Sequence, residues 1–313
     1  MNNPMIAPRK AFGEALVELG ATHPELLVLD ADVGSSTMSA LFQKSFPDRF
    51  YEIGIAEANM IGIAAGLAAT GYTPFVSTFA VFISRRALDQ VSISVAYPKL
   101  NVKLNGSYGG IPTGRAGATH QALEDIAIMR AVPNMKILVP ADAVETKLAT
   151  RLAIETPGPV YLSTVRCEVP ALFGPEHKLE WGKGVLLRPG RDVTLVACGM
   201  MTAKIVEAAK ILADRGVDAR VIHMPSIKPI DDTLLISASR ETGRIVTVEN
   251  HSTIGGLGGA VAEVLTTHAP CWLRRLGLPD CFGESGDDEA IFSKYGCNVA
   301  DIVQAAHDML KQG

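Results

Sequence analysis

The sequence predicts an α/β protein of two doubly wound domains, and three observations predict it. The chain has 313 residues, more than one domain of about 150 residues usually holds. Short continuous apolar runs alternate with segments of helical periodicity, the order that right-handed crossovers turn into a mostly parallel sheet. The alternation is interrupted at 167–190, where Pro170, Pro175 and Pro189 with Gly174, Gly182, Gly184 and Gly190 mark an irregular connection. The expected division is a first domain at 1–168, a linker at 169–190 and a second domain at 191–313.

In the first domain, Phe12, Ala15, Leu16 and Leu19 share one helical face over 8–20. The run at 25–32, ELLVLDAD, is apolar and ends in carboxylates, as suits a parallel strand covered on both faces with polar groups at its carboxyl end. Further strands are expected at 73–78, 101–105, 136–140 and 160–164, with helices at 57–70, 83–96, 121–131 and 142–155. In the second domain strands are expected at 192–198, 219–223, 244–249 and about 272–277. Helices at 201–215, 255–267 and 299–311 separate them, the first stopped by Gly216.

Composition bounds the function. Hydrophobic residues make up 48% and charged residues 20%, enough apolar material for two cores, which excludes a disordered chain. The net charge of −4 argues against a nucleic-acid binder, which would show a basic stripe. The five cysteines, 167, 198, 271, 281 and 297, form no CxxC or Cys/His spacing, so reduced thiols are expected rather than disulfides or zinc. The N-terminus has no apolar signal core, and no apolar run reaches the roughly 18–20 residues of a membrane span. A cytoplasmic protein with no membrane contact is expected.

Four stretches carry chemistry. In YEIGIAEANM and the IGIAAGLAATG that follows, Glu57 opens an Ala/Gly-rich helix with almost no other polar group. An acidic first-turn residue also favours the helix dipole, but a carboxylate buried in apolar surroundings is a candidate proton donor or acceptor near neutral pH. In STFAVFISRRALDQ, Phe79 and Phe82 fall on one helical face beside two arginines. The stretch 105–120, NGSYGGIPTGRAGATH, holds five glycines and one proline. It is a long loop of the kind that binds ligands at the carboxyl ends of parallel strands, and His120 ends it. HSTIGGLGGA at 251–260 lacks the GxGxxG pattern and a Gly-Lys-Ser/Thr. It reads as close helix packing or a subunit contact, with Asn250 and His251 as surface polar groups.

Taken together these residues resemble the transketolase family. LVLDADVGSS, RFYEIGIAEANMIGIAAGLA, TFAVFISRRALDQV, GATHQALEDIAIMRAVPNMKILVPADAVE and VTVENHSTIGGLGGAVAEVL follow the family's order across essentially the whole chain. The resemblance implies a thiamine-diphosphate-binding pyrimidine domain followed by a transketolase C-terminal domain. It places Glu57 on the glutamate that protonates the aminopyrimidine ring nitrogen, and Phe79 and Phe82 on the aromatics that sandwich that ring. Asp32 falls beside the cofactor, and His120 on a histidine that hydrogen-bonds the sugar near the reacting carbon. Arg9, Ser36 and Arg166 fall on positions that hold a sugar phosphate, apt because arginine offers a planar fork of donors to phosphate oxygens.

There are departures. Asn105 aligns with a family histidine that assists phosphate and substrate binding, the Arg115–Ala116 region replaces an aspartate that reads a sugar hydroxyl, and Arg85 takes an aromatic position. The diphosphate and its divalent ion, Mg2+, are held in the family by a GDG motif followed by an Asn. SGDD at 285–288 is not that motif, and a free diphosphate and metal need oxygen ligands that this chain does not visibly supply. The resemblance therefore implies a split enzyme. A separate N-terminal-type subunit would carry the GDG site and hold the metal, the pair would assemble as a heterotetramer, and together they would transfer a two-carbon ketol unit from a ketose phosphate to an aldose. The alternatives are a 2-oxoacid dehydrogenase beta subunit, a deoxyxylulose-phosphate-synthase-like enzyme and a non-catalytic assembly subunit.

Overall fold

The computed structural model describes residues 4–311. Along the chain its strands are β1 (Met5–Ile6), β2 (Leu26–Asp30), β3 (Phe50–Glu52), β4 (Thr73–Phe79), β5 (Lys103–Ser107), β6 (Lys136–Leu138), β7 (Val160–Thr164), β8 (Val169–Pro170), β9 (Val185–Arg188), β10 (Val193–Ala197), β11 (Ala219–His223), β12 (Ser226–Lys228), β13 (Arg244–Ser252) and β14 (Trp272–Leu278). They form a seven-stranded sheet in the order β12-β6-β7-β5-β4-β2-β3, a five-stranded sheet in the order β14-β13-β10-β11-β9, and a small β1-β8 pair. Every pairing in the large sheet is parallel except β12 with β6, and every pairing in the five-stranded sheet is parallel except β9 with β11.

The expected α/β architecture of two mainly parallel sheets is what the chain forms. All residues of β2, β4, β5, β7, β10 and β11 are buried, because helices cover both faces, and this is why those strands read as continuous apolar runs rather than alternating ones. Helix Pro8–Gly20 starts on a proline, whose fixed φ suits a first turn. Asp142 caps helix Ala143–Glu155 by accepting from the Glu145 N–H at 2.8 Å. Among the described residues no helix is long and apolar enough to cross a membrane.

Several elements differ from expectation. The helix expected over 83–96 is interrupted. Ala80–Arg85 is α-helical, the chain turns at Arg86 and Ala87, and Gln90–Ala96 winds as a π-helix. The helix expected from 121 begins at Asp125, since Gln121 instead donates to the carbonyls of Ile111 and Glu284. The connection at 167–190 is not wholly irregular. Val169 and Pro170 pair with Ile6 and Met5, and β9 forms an antiparallel edge of the five-stranded sheet. Strand β12 lies beyond the connection yet joins the large sheet, where Lys228 Nζ donates to the carbonyls of Arg130 and Val132 at 2.8 and 2.6 Å. Strands of two to four residues are too short to show a period.

A buried polar cluster ties the two sheets and the connection together. Glu145, wholly buried on helix Ala143–Glu155, meets His223 at the end of β11 at 2.7 Å and His177 of the connection at 3.0 Å. The Ala141 N–H donates to the same carboxylate, and His223 Nδ1 is 2.7 Å from Thr202 Oγ1. Phe173 stacks on His177 with centroids 3.8 Å apart. The backbone beside it is fixed by Asp142, which accepts from the N–H groups of Leu172 and Phe173.

Candidate active site

Five strands that are neighbours in the large sheet, β7-β5-β4-β2-β3, run parallel and release their loops at one edge, where ligands of open α/β sheets bind. The register aligns their ends. Asp30 lies opposite Glu52 on β3 and Ser77 on β4, and Phe79 lies opposite Ser107 on β5. Ser36 follows β2, Glu57 follows β3, Phe82 follows β4, Tyr108 and His120 follow β5, and Arg166 follows β7.

These side chains form one continuous line of contacts. Glu57 is 3% exposed in the first turn of helix Glu57–Ala69. Arg86 Nη1 donates to both its carboxylate oxygens at 3.1 and 3.3 Å, while the same guanidinium lies 3.9 Å from the Phe82 ring centroid. A buried carboxylate is expensive unless paired and hydrogen-bonded, and Arg86 does both. Phe82 and Phe79 have centroids 5.7 Å apart, and the His120 ring meets both edge-on at 5.4 and 6.0 Å. Phe79 stacks on Tyr108 at 4.3 Å. The Tyr108 hydroxyl in turn accepts from Arg9 Nη1 at 3.3 Å, and that nitrogen also donates to the Ser36 carbonyl at 2.9 Å. The Arg166 guanidinium sits 5.8 Å from the Tyr108 centroid. The structure thus brings together the side chains of Glu57, Phe79, Phe82, His120, Arg9 and Arg166, with Ser36 joined through its backbone carbonyl.

Asp32 and Asn105 stand apart from that line. Asp32 is exposed, in the left-handed region at φ 60°, on the loop that carries Ser36. Its N–H donates to Glu52 Oε1 at 2.7 Å, an oxygen that also accepts from the Gly54 N–H at 2.9 Å. Asn105 is wholly buried within β5. Its amide donates to Ser77 Oγ and Ser107 Oγ and accepts from Thr164 Oγ1. With its polar atoms spent inside the sheet, it does not present them to a ligand here. Arg85 turns to Glu124, with which it forms an ion pair.

Sequence reasoning passed over Tyr108, Arg86 and Asp30. Tyr108 had a visible signal as the one aromatic in the glycine-rich loop. Asp30 had none beyond its place at a strand end. It is wholly buried and accepts from the Val33 N–H, Thr37 Oγ1 and Ser39 Oγ at 2.7, 2.9 and 2.8 Å, fastening the loop that carries Asp32 and Ser36. Burial outweighs these bonds and pushes its carboxyl up to about 6 from 3.8. Between those values the folded state holds a proton that the unfolded chain has released. Stability from this group is therefore present at low pH and lost as pH rises from about 4 to about 6. About two pKa units correspond to about 3 kcal/mol. Urea midpoints of Asp30→Asn are expected to lack this fall relative to the parent chain; parallel curves would place it elsewhere.

The 251–260 stretch also departs from expectation. His251 is not a surface group, and Asn250 is half-buried. His251 is wholly buried and accepts from the Ala127 N–H at 3.3 Å through Nε2. Asn250 grips the glycine-rich loop, accepting from the Ile111 N–H at 2.8 Å and donating to the Gly109 carbonyl at 3.1 Å. The glycines do serve close packing. A Cβ at Gly258 would lie 2.8 Å from Arg275 and one at Gly255 2.7 Å from Ala127. Buried Glu249 accepts from the N–H groups of Leu257 and Gly258 at 2.6 and 2.9 Å, capping helix Leu257–His268.

The arrangement suits the flat, basic end of a heteroaromatic cofactor, because two aromatic rings offer apolar faces and one buried carboxylate stands beside them.

Comparison with known proteins gives the family. The family model for the transketolase pyrimidine binding domain matches residues 4–171, and that for the transketolase C-terminal domain matches residues 182–302. The chain is 40% identical to the 6-deoxy-6-sulfo-D-fructose transketolase subunit of Clostridium sp., over 97% of this chain and 94% of that one. It is 39% identical to an apulose-4-phosphate transketolase subunit of Phocaeicola vulgatus, over the full length of both. A solved split-gene transketolase, described as an inactive beta4 tetramer, superposes with a TM-score of 0.92 at 49% identity, covering 98% of this chain and 99% of that one. The chain belongs to the transketolase family, whose enzymes depend on thiamine diphosphate.

Proposed function

We propose that this chain is the C-terminal-type subunit of a two-chain, thiamine-diphosphate-dependent transketolase. It would move a two-carbon ketol unit from a ketose phosphate to an aldose acceptor. The observation that carries this reading is the buried Glu57 carboxylate brought, through Arg86, to the edge of the Phe79–Phe82–His120 cluster. Glu57, Phe79 and Phe82 would hold the pyrimidine end of the cofactor, with Asp32 on the neighbouring loop. Bound there, thiamine diphosphate supplies the carbanion equivalent that breaks and remakes a carbon–carbon bond beside a carbonyl.

The chain's own residues do the rest. Glu57 would carry a proton to the pyrimidine ring nitrogen, and its burial would shield that proton from water. Phe79 and Phe82 would fix the ring plane by burying its faces. His120, whose Nδ1 is 2.9 Å from Thr119 Oγ1, would orient a sugar hydroxyl or carbonyl through its other nitrogen. Arg9, Ser36 and Arg166 would hold the substrate's distal phosphate. Asn105 would support the strand ends from below.

A separate N-terminal-type subunit carrying a GDG motif would hold the diphosphate and Mg2+, and the assembly would be a heterotetramer with sites shared between chains. The relatives named as subunits, each matched over nearly its whole length, support a split enzyme. Mixing this chain with that subunit, thiamine diphosphate and Mg2+ should give two-carbon transfer from a ketose phosphate, followed by the mass of the new ketose. Oxidative decarboxylation of a 2-oxoacid instead would replace this reading, and no cofactor uptake by the mixture would leave a non-catalytic subunit.

A further inference from the structure

Tyr108 is 8% exposed and its backbone sits in the left-handed region at φ 62°, a conformation that bulky residues rarely adopt and that persists only where the surroundings hold it. Three neighbours hold it. Phe79 stacks on the ring, and the guanidinium carbons of Arg9 and Arg166 each lie 5.8 Å from its centroid. Two arginines at one phenol repel each other, and each gains only modestly from the ring.

Neither arginine forms an ion pair among the described residues, although the chain as a whole is acidic. Arg9 Nε is buried without a partner. The Tyr108 oxygen accepts from Arg9, and among the described residues its own proton has no acceptor. Two guanidiniums outside any ion pair flank the ring of a phenol whose O–H is unused; that of Arg9 keeps a buried unused N–H, and that of Arg166 is exposed to solvent. Leaving a buried donor such as Arg9 Nε unpaired is costly, and an anion between the two guanidiniums and the phenol would satisfy it.

We propose that Tyr108 is a specificity-determining residue for the substrate's charged end. It spaces Arg9 and Arg166 about one ring and donates its hydroxyl to a tetrahedral oxyanion, with preference for a phosphate monoester over a sulfonate. This rests on the reading of the chain as a subunit that acts on a ketose phosphate. The preference follows from charge. Two unpaired guanidiniums match an anion of charge near two better than one of charge one, whereas a sulfonate offers similar geometry with one charge.

The test is a calorimetric titration of inorganic phosphate, and separately of methanesulfonate, into the full chain and into Tyr108→Phe and Tyr108→Leu. The parent chain should bind phosphate at least ten-fold tighter than methanesulfonate. Tyr108→Phe keeps the stacked ring and loses one hydrogen bond to an anion, so phosphate binding should weaken about ten-fold. Tyr108→Leu, which no longer holds the two guanidiniums about a ring, should weaken it further. Circular dichroism melts check that both variants fold. In the reconstituted enzyme the preference of Tyr108→Phe for a phosphorylated over an unphosphorylated ketose, as a ratio of kcat/KM values, should fall about ten-fold. Unchanged phosphate affinity in Tyr108→Phe would overturn the role of Tyr108. Equal binding of the two anions would overturn the charge preference, and no phosphate binding by the parent chain would overturn the site. The titration needs neither partner nor turnover. A chain that bound phosphate in this way but transferred no two-carbon unit would refute the functional reading and leave only the phosphate site at Tyr108 standing.

Discussion

Glu57→Gln is expected to lower two-carbon transfer by the reconstituted enzyme by about 10²–10⁴-fold, the usual worth of a positioned acid or base. The substitution conserves shape. The amide fits the space at the start of helix Glu57–Ala69, and its oxygen can still accept from Arg86, which now donates to both carboxylate oxygens. It cannot pass a proton to a ring nitrogen. Assembly and melting temperature should therefore change little while kcat falls. Cofactor affinity, read by tryptophan fluorescence, should fall less than kcat, because the Phe79 and Phe82 faces remain. Full turnover by the variant would remove Glu57 from the chemistry and with it the main support for the functional reading. A loss explained wholly by failed assembly would instead make Glu57 an interface residue.

The largest stability effect is expected at Glu145. Glu145→Ala should cost about 3–5 kcal/mol, as does removing one partner of a buried ionic cluster, because His177, His223 and the Ala141 N–H all lose the same acceptor. Burial by itself would raise this carboxyl. The His223 charge, the hydrogen bonds of His177 and His223 and the Ala141 N–H outweigh it and hold the group at about 2, below its ordinary 4.5. The sign follows. A carboxyl held low in the folded state contributes stability that is present above about pH 4.5 and is lost as pH falls through about 2. Urea denaturation should show the parent chain losing this contribution over that acid window and Glu145→Ala lacking it. Glu145→Gln, which fills the same volume without charge, separates the ionic part from the cavity. If the alanine variant melted with the parent, the cluster would not hold the two sheets to the connection.

Much of the site was legible because its chemistry is unusual in the chain. A lone carboxylate in an Ala/Gly helix, two phenylalanines beside two arginines and a glycine-rich loop ending in histidine each break a local pattern, and the fold gathers all three. Asn105 was misleading, since a polar residue near a strand end can face either a ligand or its neighbours in the sheet, and here it faces Ser77, Ser107 and Thr164. The pairing of Arg86 with Glu57, 29 residues apart, and the grip of Asn250 on the loop at 109–111 depend on which elements meet, and no local spacing encodes that.

The sequence by itself determined the alternation of buried strands with amphipathic helices, hence the two mainly parallel sheets, because hydrophobic period and strand length are local properties. It also determined which residue types stand at the strand ends. Tertiary structure alone decided that Tyr108 would gather Arg9 and Arg166, that Asp30 would fasten the neighbouring loop, that β12 would cross to the large sheet, and that His251 and Glu249 would be buried. Each of these is settled by the register and order of strands distant in the chain, where the need to pair every buried polar group selects among partners that the sequence leaves open.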